Sequence, residues 1–245
     1  MDDVPASIPS TLRAVVLDVD GTLYDQRKLR RAMLAALMKA HALRPLRGWK
    51  TASVLSAYRR AQEDLRHDPG AAAVDQLEIA CAKTGSTPEF ARACVELWME
   101  SAPLAFLPRC IHLGLREFLE ACRKRGVRLA ALSDYPAEAK LQALGIAPAF
   151  ELTLSAQSAE IARFKPHPRG IQVTLRRLGV SPDQALYVGD RPDVDAAAAL
   201  AAGVACVIVG RRAPAATGYH GVSGYAELTS HLFCESTPTD RRVRL

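Results

Sequence analysis

The chain has 245 residues, 49% of them hydrophobic and 6% aromatic, and a formal charge of +6 at pH 7. That length suits one large α/β domain or a core with a small insert, and an apolar content carried by Ala and Leu favours helices on a sheet over an all-β sandwich. The basic balance favours anionic partners, but nucleic acid is not expected, because the basic residues are neither interleaved with aromatics nor set in a recognised module. The acidic start MDDVPASIPSTLRAVVLDVD has no basic n-region and no long apolar run, so neither a signal peptide nor a membrane span is expected. Cys81, Cys94, Cys110, Cys122, Cys206 and Cys234 form no CxxC pair and no zinc spacing, which fits reduced thiols in a cytoplasmic protein.

In chain order, residues 1–11 read as a short tail, and the β-branched run at 13–17 as a buried parallel strand ending at Asp18. Between about Arg27 and Met99 the texture turns to Ala, Leu, Arg, Glu and Met. Helices are expected there at 28–43, 49–66, 71–84 and 88–100, with breaks at Pro45, Gly48, Pro69–Gly70 and Gly85 and a strong helix start at Thr87-Pro88-Glu89. Beyond Pro108 the pattern alternates. Helices are expected at 111–125, 136–144, 167–178 and 192–202, and strands at 127–132, 150–155, 185–188 and 204–209. From Gly210 onward the chain reads as loop with a weak helix near 224–232, and residues 236–245 as a flexible tail; Arg27 to Arg31, Arg211–Arg212 and Arg241–Arg244 read as solvated basic surface.

Alternating strands and helices with short connections imply a Rossmann-like parallel sheet with helices on both faces, plus an inserted helical unit at 27–102 flanked by core segments 1–26 and 103–235. Such sheets bind ligands at the C-terminal ends of their strands. Asp18-Val19-Asp20, Ser133 and Asp190 all stand at predicted strand ends.

Asp18 and Asp20 leave a buried strand together, and on an ideal strand would point to one side. Like charges that close repel, so a positive group is expected between them, and magnesium is the obvious candidate for an all-oxygen site. Gly21 permits a tight turn, letting its own N–H and that of Thr22 face an anion. One carboxylate could attack phosphorus while the other moves protons. Ser133 could donate to a phosphoryl oxygen.

The sequence DVDGTLYD resembles the first motif of the haloacid dehalogenase-like hydrolase superfamily, and Ser133, Lys165-Pro166-His167-Pro168 and Gly189-Asp190 followed by Asp193 and Asp195 resemble the other three, in order. The resemblance, spanning about residues 12–210, implies Asp18 as nucleophile and Asp20 as general acid/base, with Ser133 and Lys165 on the phosphoryl group. It implies Mg2+ held by Asp18, the Asp20 carbonyl and Asp190, with Asp195 and, less distinctly, Asp193 orienting that shell. Asp134 stands where the family often has Asn, beside the phosphate, and is given no catalytic role; His167 reads as a helix-start residue. The second Asp of the first motif is absent from the superfamily's haloacid dehalogenases, so phosphate-ester hydrolysis is favoured over carbon–halogen cleavage. A phosphomutase with the same residues, or a non-catalytic relative, is the competing reading. The insert's position resembles the helical cap of the first subfamily, which reads the leaving group. That favours a small-molecule phosphate ester (a sugar phosphate, a phosphoglycolate-like acid or a nucleoside monophosphate), handled by a monomer or homodimer. Trp49, Tyr58, Arg59 and Arg60 are the cap residues considered for substrate contact, with helix surface the plainer expectation for each.

Overall fold

The computed structural model of the chain describes residues 9, 11–66, 76–210 and 218–233. Most of the N-terminal tail, the break at Pro69–Gly70, the start of the helix expected over 71–84, Arg211–Arg212, Cys234, the expected tail at 236–245 and the Arg241–Arg244 cluster lie outside them.

Six parallel strands form one sheet in the order β3-β2-β1-β4-β5-β6. They are β1 (Ala14–Leu17), β2 (Arg128–Ser133), β3 (Leu152–Ser155), β4 (Ala185–Gly189), β5 (Ala205–Val209) and β6 (His220–Val222). The period of two sorts their side chains into two cores. Val15, Leu17, Leu129, Leu186, Val188 and Val207 face one side, against Phe118, Leu119 and Cys122 of α5 (Leu115–Lys124), Leu141 of α6 (Glu138–Ala143) and Tyr225 and Leu228 of α9 (Tyr225–Phe233). Val16, Leu132, Tyr187, Cys206 and Ile208 face the other, against Ile171, Val173, Leu175 and Leu178 of α7 (Arg169–Leu178) and Ala198 and Ala199 of α8 (Ala197–Ala201). A run buried on both faces is why the strands read as continuous apolar sequence rather than as alternation.

Between β1 and β2 the described chain is helical. It comprises α1 (Gln26–Ala40), α2 (Pro45–Arg66), α3 (Gln76–Thr84) and α4 (Pro88–Val95), the last continuing as a π-helical turn over Glu96–Ser101. Their contacts make two small cores of their own, around Val54, Leu55, Ala91 and Cys94 and around Ala57, Tyr58, Ala80 and Val95. Thr87 caps α4 as expected, accepting from the Phe90 N–H at 3.3 Å.

Several boundaries correct the sequence reading. Pro45 and Gly48 do not break the chain but lie inside α2, because a proline in a first turn gives up an N–H that has no partner there anyway; the break falls instead between Ala40 and Pro45. The helix expected at 111–125 starts only at Leu115, and the one expected at 192–202 opens as a π-helical turn over Pro192–Ala196. The strand β6 was not anticipated: HGV is too short and too glycine-rich to register as a strand on its own and is held by pairing with β5. The five described cysteines are unpaired, and no described helix is long and apolar enough to cross a membrane.

Candidate active site

The strand order reverses at β1, whose neighbours are β2 on one side and β4 on the other, and open α/β sheets bind ligands at such a reversal. Asp18 follows β1 there, its N–H held by the Val188 carbonyl of β4 at 2.9 Å. Lys165 enters from the loop between β3 and α7. Its Nζ lies 2.5 Å from Asp18 Oδ1, 2.7 Å from Asp195 Oδ1 and 3.1 Å from the Tyr187 hydroxyl. Thr22 Oγ1 donates to Asp18 Oδ2 at 2.8 Å. Asp195 Oδ2 accepts the N–H groups of Asp190 and Arg191 at 3.2 and 3.0 Å, so both its oxygens are engaged. Oxygens of Asp18, Asp190 and Asp195 lie within 4.8 Å of one another.

Three carboxylates therefore crowd one ammonium, Asp18 and Asp195 bonded to it and Asp190 beside them. Burial, with Asp195 and Asp190 nearby, pushes Asp18 up to about 8 despite Lys165, and burial with Asp195 pushes Asp190 up to about 6. Lys165 moves the other way. Burial alone would lower it, but Asp18 and Asp195 hold it protonated well above the usual lysine value. A cluster in which Asp18 and Asp190 resist ionisation has room for further positive charge, and an all-oxygen donor set suits a hard divalent cation. Gly21 makes the approach possible: at φ +106°, a Cβ there would stand 2.4 Å from Asp190 Oδ2.

Asp20 does not join that cluster. The strand ends at Leu17, so the two-residue spacing no longer aligns the side chains. Asp20 is clamped by Lys140 of α6, with Nζ 2.6 and 2.8 Å from its two oxygens, and by the Tyr24 hydroxyl. Burial would raise its pKa, but Lys140 and the Tyr24 hydrogen bond bring it below the usual carboxylate value. Each of the two acids thus has a lysine of its own.

Asp18, Asp20, Asp134, Lys165, Asp190 and Asp195 line one small cavity of about 120 Å³, which shares Asp20, Gln26, Arg30, Gln62, Glu63 and Tyr135 with a larger cleft of about 730 Å³. Asp134 Oδ2 binds Arg66 at 2.5 Å and its Oδ1 accepts the Lys165 N–H at 3.4 Å. Ser133 is buried at the end of β2 with its Oγ accepting the Tyr135 N–H at 3.3 Å, and is not part of either cavity wall. Thr22 is buried behind Asp18, and Asp193 faces outward to Arg191 at 2.6 Å. His167 Nδ1 accepts the Arg169 N–H at 3.1 Å, a helix-start contact. Arg59 and Arg60 line the cleft. Tyr58 is buried among helices and its hydroxyl accepts from Gln157, while Trp49 is exposed and off the cleft wall.

Four residues of the site escaped the sequence reading. Tyr187 was accessible to it, since alternation from Gly189 puts residue 187 on the face of the sheet that carries Lys165 and Asp195. Lys140, Tyr24 and Arg66 carried no local signal, because a cation or phenol in a helix or turn is ordinarily surface. Arg66, its side chain only 5% exposed, donates to the Lys165 carbonyl at 2.5 Å as well as to Asp134, tying the end of α2 to the lysine loop.

The chain is 31% identical over 209 residues to glyceraldehyde 3-phosphate phosphatase of Methanopyrus kandleri, covering 82% of this chain and 84% of that protein. It is 28% identical to phosphoglycolate phosphatase of Pseudomonas putida, with 81% and 70% covered. The fold matches that of a 2-haloacid dehalogenase from Pseudomonas syringae pv. Tomato with a TM-score of 0.65 at 22% identity, covering 90% of this chain and 98% of that one. The family profile described as haloacid dehalogenase-like hydrolase matches residues 12–203, and the chain belongs to that family of enzymes.

Proposed function

We propose that the protein is a magnesium-dependent phosphatase of small phosphate monoesters that works through a phospho-aspartyl intermediate on Asp18. The observation that carries this reading is the Lys165 ammonium placed between the carboxylates of Asp18 and Asp195, with Asp190 beside them at the floor of a small cavity. The two relatives above, each named for hydrolysis of a small phosphate ester, support the class of reaction.

In the first step an Asp18 oxygen attacks phosphorus in line, the bond to the leaving oxygen breaks, and Asp20 supplies that oxygen's proton. In the second, water attacks the aspartyl phosphate, gives its proton to Asp20 and releases Asp18. The carboxylate form of Asp20, held by Lys140 and Tyr24, is the one that accepts a proton from water. Asp18, the Asp20 carbonyl and Asp190 would hold Mg2+, which supplies charge neutralisation to the phosphoryl oxygens when bound. Lys165 neutralises the nucleophile and the transferring group, the Gly21 and Thr22 N–H groups donate to phosphoryl oxygens, and Asp195 orients Lys165. With both carboxylate oxygens of Asp134 engaged, its backbone is what remains for phosphate. Residues 27–102 act as a cap on a core of 1–26 and 103–235 and read the leaving group.

Phosphate release across a panel of small esters, with Mg2+ and with a chelator, tests the reading. Release is expected only with the metal, and Asp18→Asn should fall to background. Metal-independent release, or undiminished release by that variant, would overturn it.

A further inference from the structure

The larger cleft is walled chiefly by the helical segment itself. On one side stand Leu29, Met33 and Leu37 of α1, spaced four residues apart on one face; on the other stand Leu55 of α2 and Trp98 and Met99 of the π-helical turn. Of the fifteen residues of α1 only Leu29 is buried; Met33 packs in part against the core of the sheet, and Leu37, half-buried, and Leu34, exposed, complete the apolar face that α1 turns to the cleft. Several polar side chains around the rim are already bonded to one another: Gln62 to Tyr135 at 2.7 Å, Glu63 to Arg191 at 2.9 Å, Asp64 to Lys83 at 2.6 Å and Asp20 to Lys140. Arg30 lines both cavities, which puts positive charge where they meet.

A cleft of about 730 Å³ belongs to the size class that encloses a drug-sized ligand. Arg59, Arg60 and Glu100 add charge at the margin of the cleft, but a two-carbon acid would leave its apolar walls wet, and a sugar would set part of its hydroxyls against leucine and methionine. Because α1, α2 and the π-helical turn all belong to the helical segment, movement of that segment as a body over the sheet would leave these walls facing each other.

We infer that the substrate is a phosphate monoester whose leaving alcohol carries a large apolar body, aromatic or alkyl, seated between α1 and the Trp98–Met99 turn. This rests on the reading of the small cavity as the phosphate site. The two Met side chains suit such a role, being able to shape themselves to an irregular apolar ligand.

Calorimetric titration of the Mg2+-loaded full chain with methyl-, butyl-, hexyl- and octylphosphonate, below micelle-forming concentrations, tests the inference without turnover. Affinity should rise by about fourfold per methylene over the first several carbons, so that octylphosphonate binds roughly a hundredfold or more tighter than methylphosphonate. Phosphonoacetate should bind no better than methylphosphonate. Leu37→Gln, a helix-compatible change on the cleft wall, should flatten the series, whereas Leu113→Gln, an exposed leucine outside the cleft, should leave it unchanged. A flat series in the wild type, tightest binding of phosphonoacetate, or an unaltered slope in Leu37→Gln would overturn the inference. A parallel phosphate-release assay on octyl phosphate separates the two readings: a steep series with no release removes the phosphatase reading and leaves the apolar ligand class standing.

Discussion

Asp18 and Asp20 stand two positions apart, yet each has its own lysine, and the difference divides their chemistry. Asp18 shares Lys165 with Asp195 and is pushed up by burial, whereas Asp20 has both oxygens on Lys140, which holds its pKa below the usual carboxylate value. Lys165 was legible in the sequence because two prolines and its place between strands marked it. Lys140 was not, because nothing in EAKLQA distinguishes an inward lysine from an outward one. The most constrained position is Gly189. A Cβ there would stand 2.4 Å from Asp195 Cβ, and Asp195 is the residue that aims Lys165. Gly189→Ala is expected to cost ~1–3 kcal/mol of stability through overpacking. It should also lower kcat by roughly a hundredfold, since a displacement of about 1 Å suffices for that. Denaturant unfolding and steady-state kinetics on one preparation check both outcomes.

At the scale of elements, the end of α2 and the weakly signalled C-terminal helix matter more than their sequences announced. Arg66 closes α2 and binds Asp134 and the Lys165 carbonyl, while Glu63, one turn earlier, meets Arg191 beside the carboxylate cluster. Arg66→Met would leave a carboxylate and a carbonyl unpaired in a largely buried place, which typically costs about 3–5 kcal/mol. By loosening the lysine loop it should also lower kcat/KM ~10–100-fold. Thermal unfolding and kinetics of the variant decide this, and an active, undestabilised Arg66→Met would show that α2 does not position the site. At the other end of the chain, Tyr225 of α9 is buried and donates from its hydroxyl to the Thr22 carbonyl at 2.9 Å, so the helix read from sequence as marginal pins the loop that carries Asp18 to Thr22. Its propensity is weak because packing against Phe118, not helix preference, holds it.

For the whole molecule, the consequence of gathering three acids around one ammonium is a dependence of stability on pH and metal. Asp18 and Asp190 both titrate above their usual 3.8 in the fold, at about 8 and about 6. The folded state then binds more protons than the unfolded one between those limits, so the stability these groups contribute is full below about pH 4 and is lost as pH rises through 6 and 8. A divalent cation held by the cluster, as proposed above, would offset that loss. The rise in melting temperature caused by Mg2+ is therefore expected to be small near pH 5 and to grow toward pH 8. A rise that stays constant or shrinks over that range, measured by thermal unfolding with and without a chelator, would show that these carboxylates do not hold the metal.

The sequence by itself determined the alternation of strands and helices, the helical segment between the first two strands and the acids at strand ends, because each of these rests on local periodicity and on turn residues within a few positions. It also marked Asp18, Lys165, Asp190 and Asp195, whose neighbours along the chain carry the signal. Only the tertiary structure decided which charge meets which. Lys140 lies 120 positions from Asp20 and Arg66 lies 68 from Asp134, and pairing over such separations depends on sheet order and helix packing, to which no short stretch of chain is sensitive. The same holds for the apolar cleft: the stripe on α1 is visible in QRKLRRAMLAALMKA, but that it lines a cavity beyond Leu29 and Met33, which meet the core, follows from where α2 and the π-helical turn come to rest.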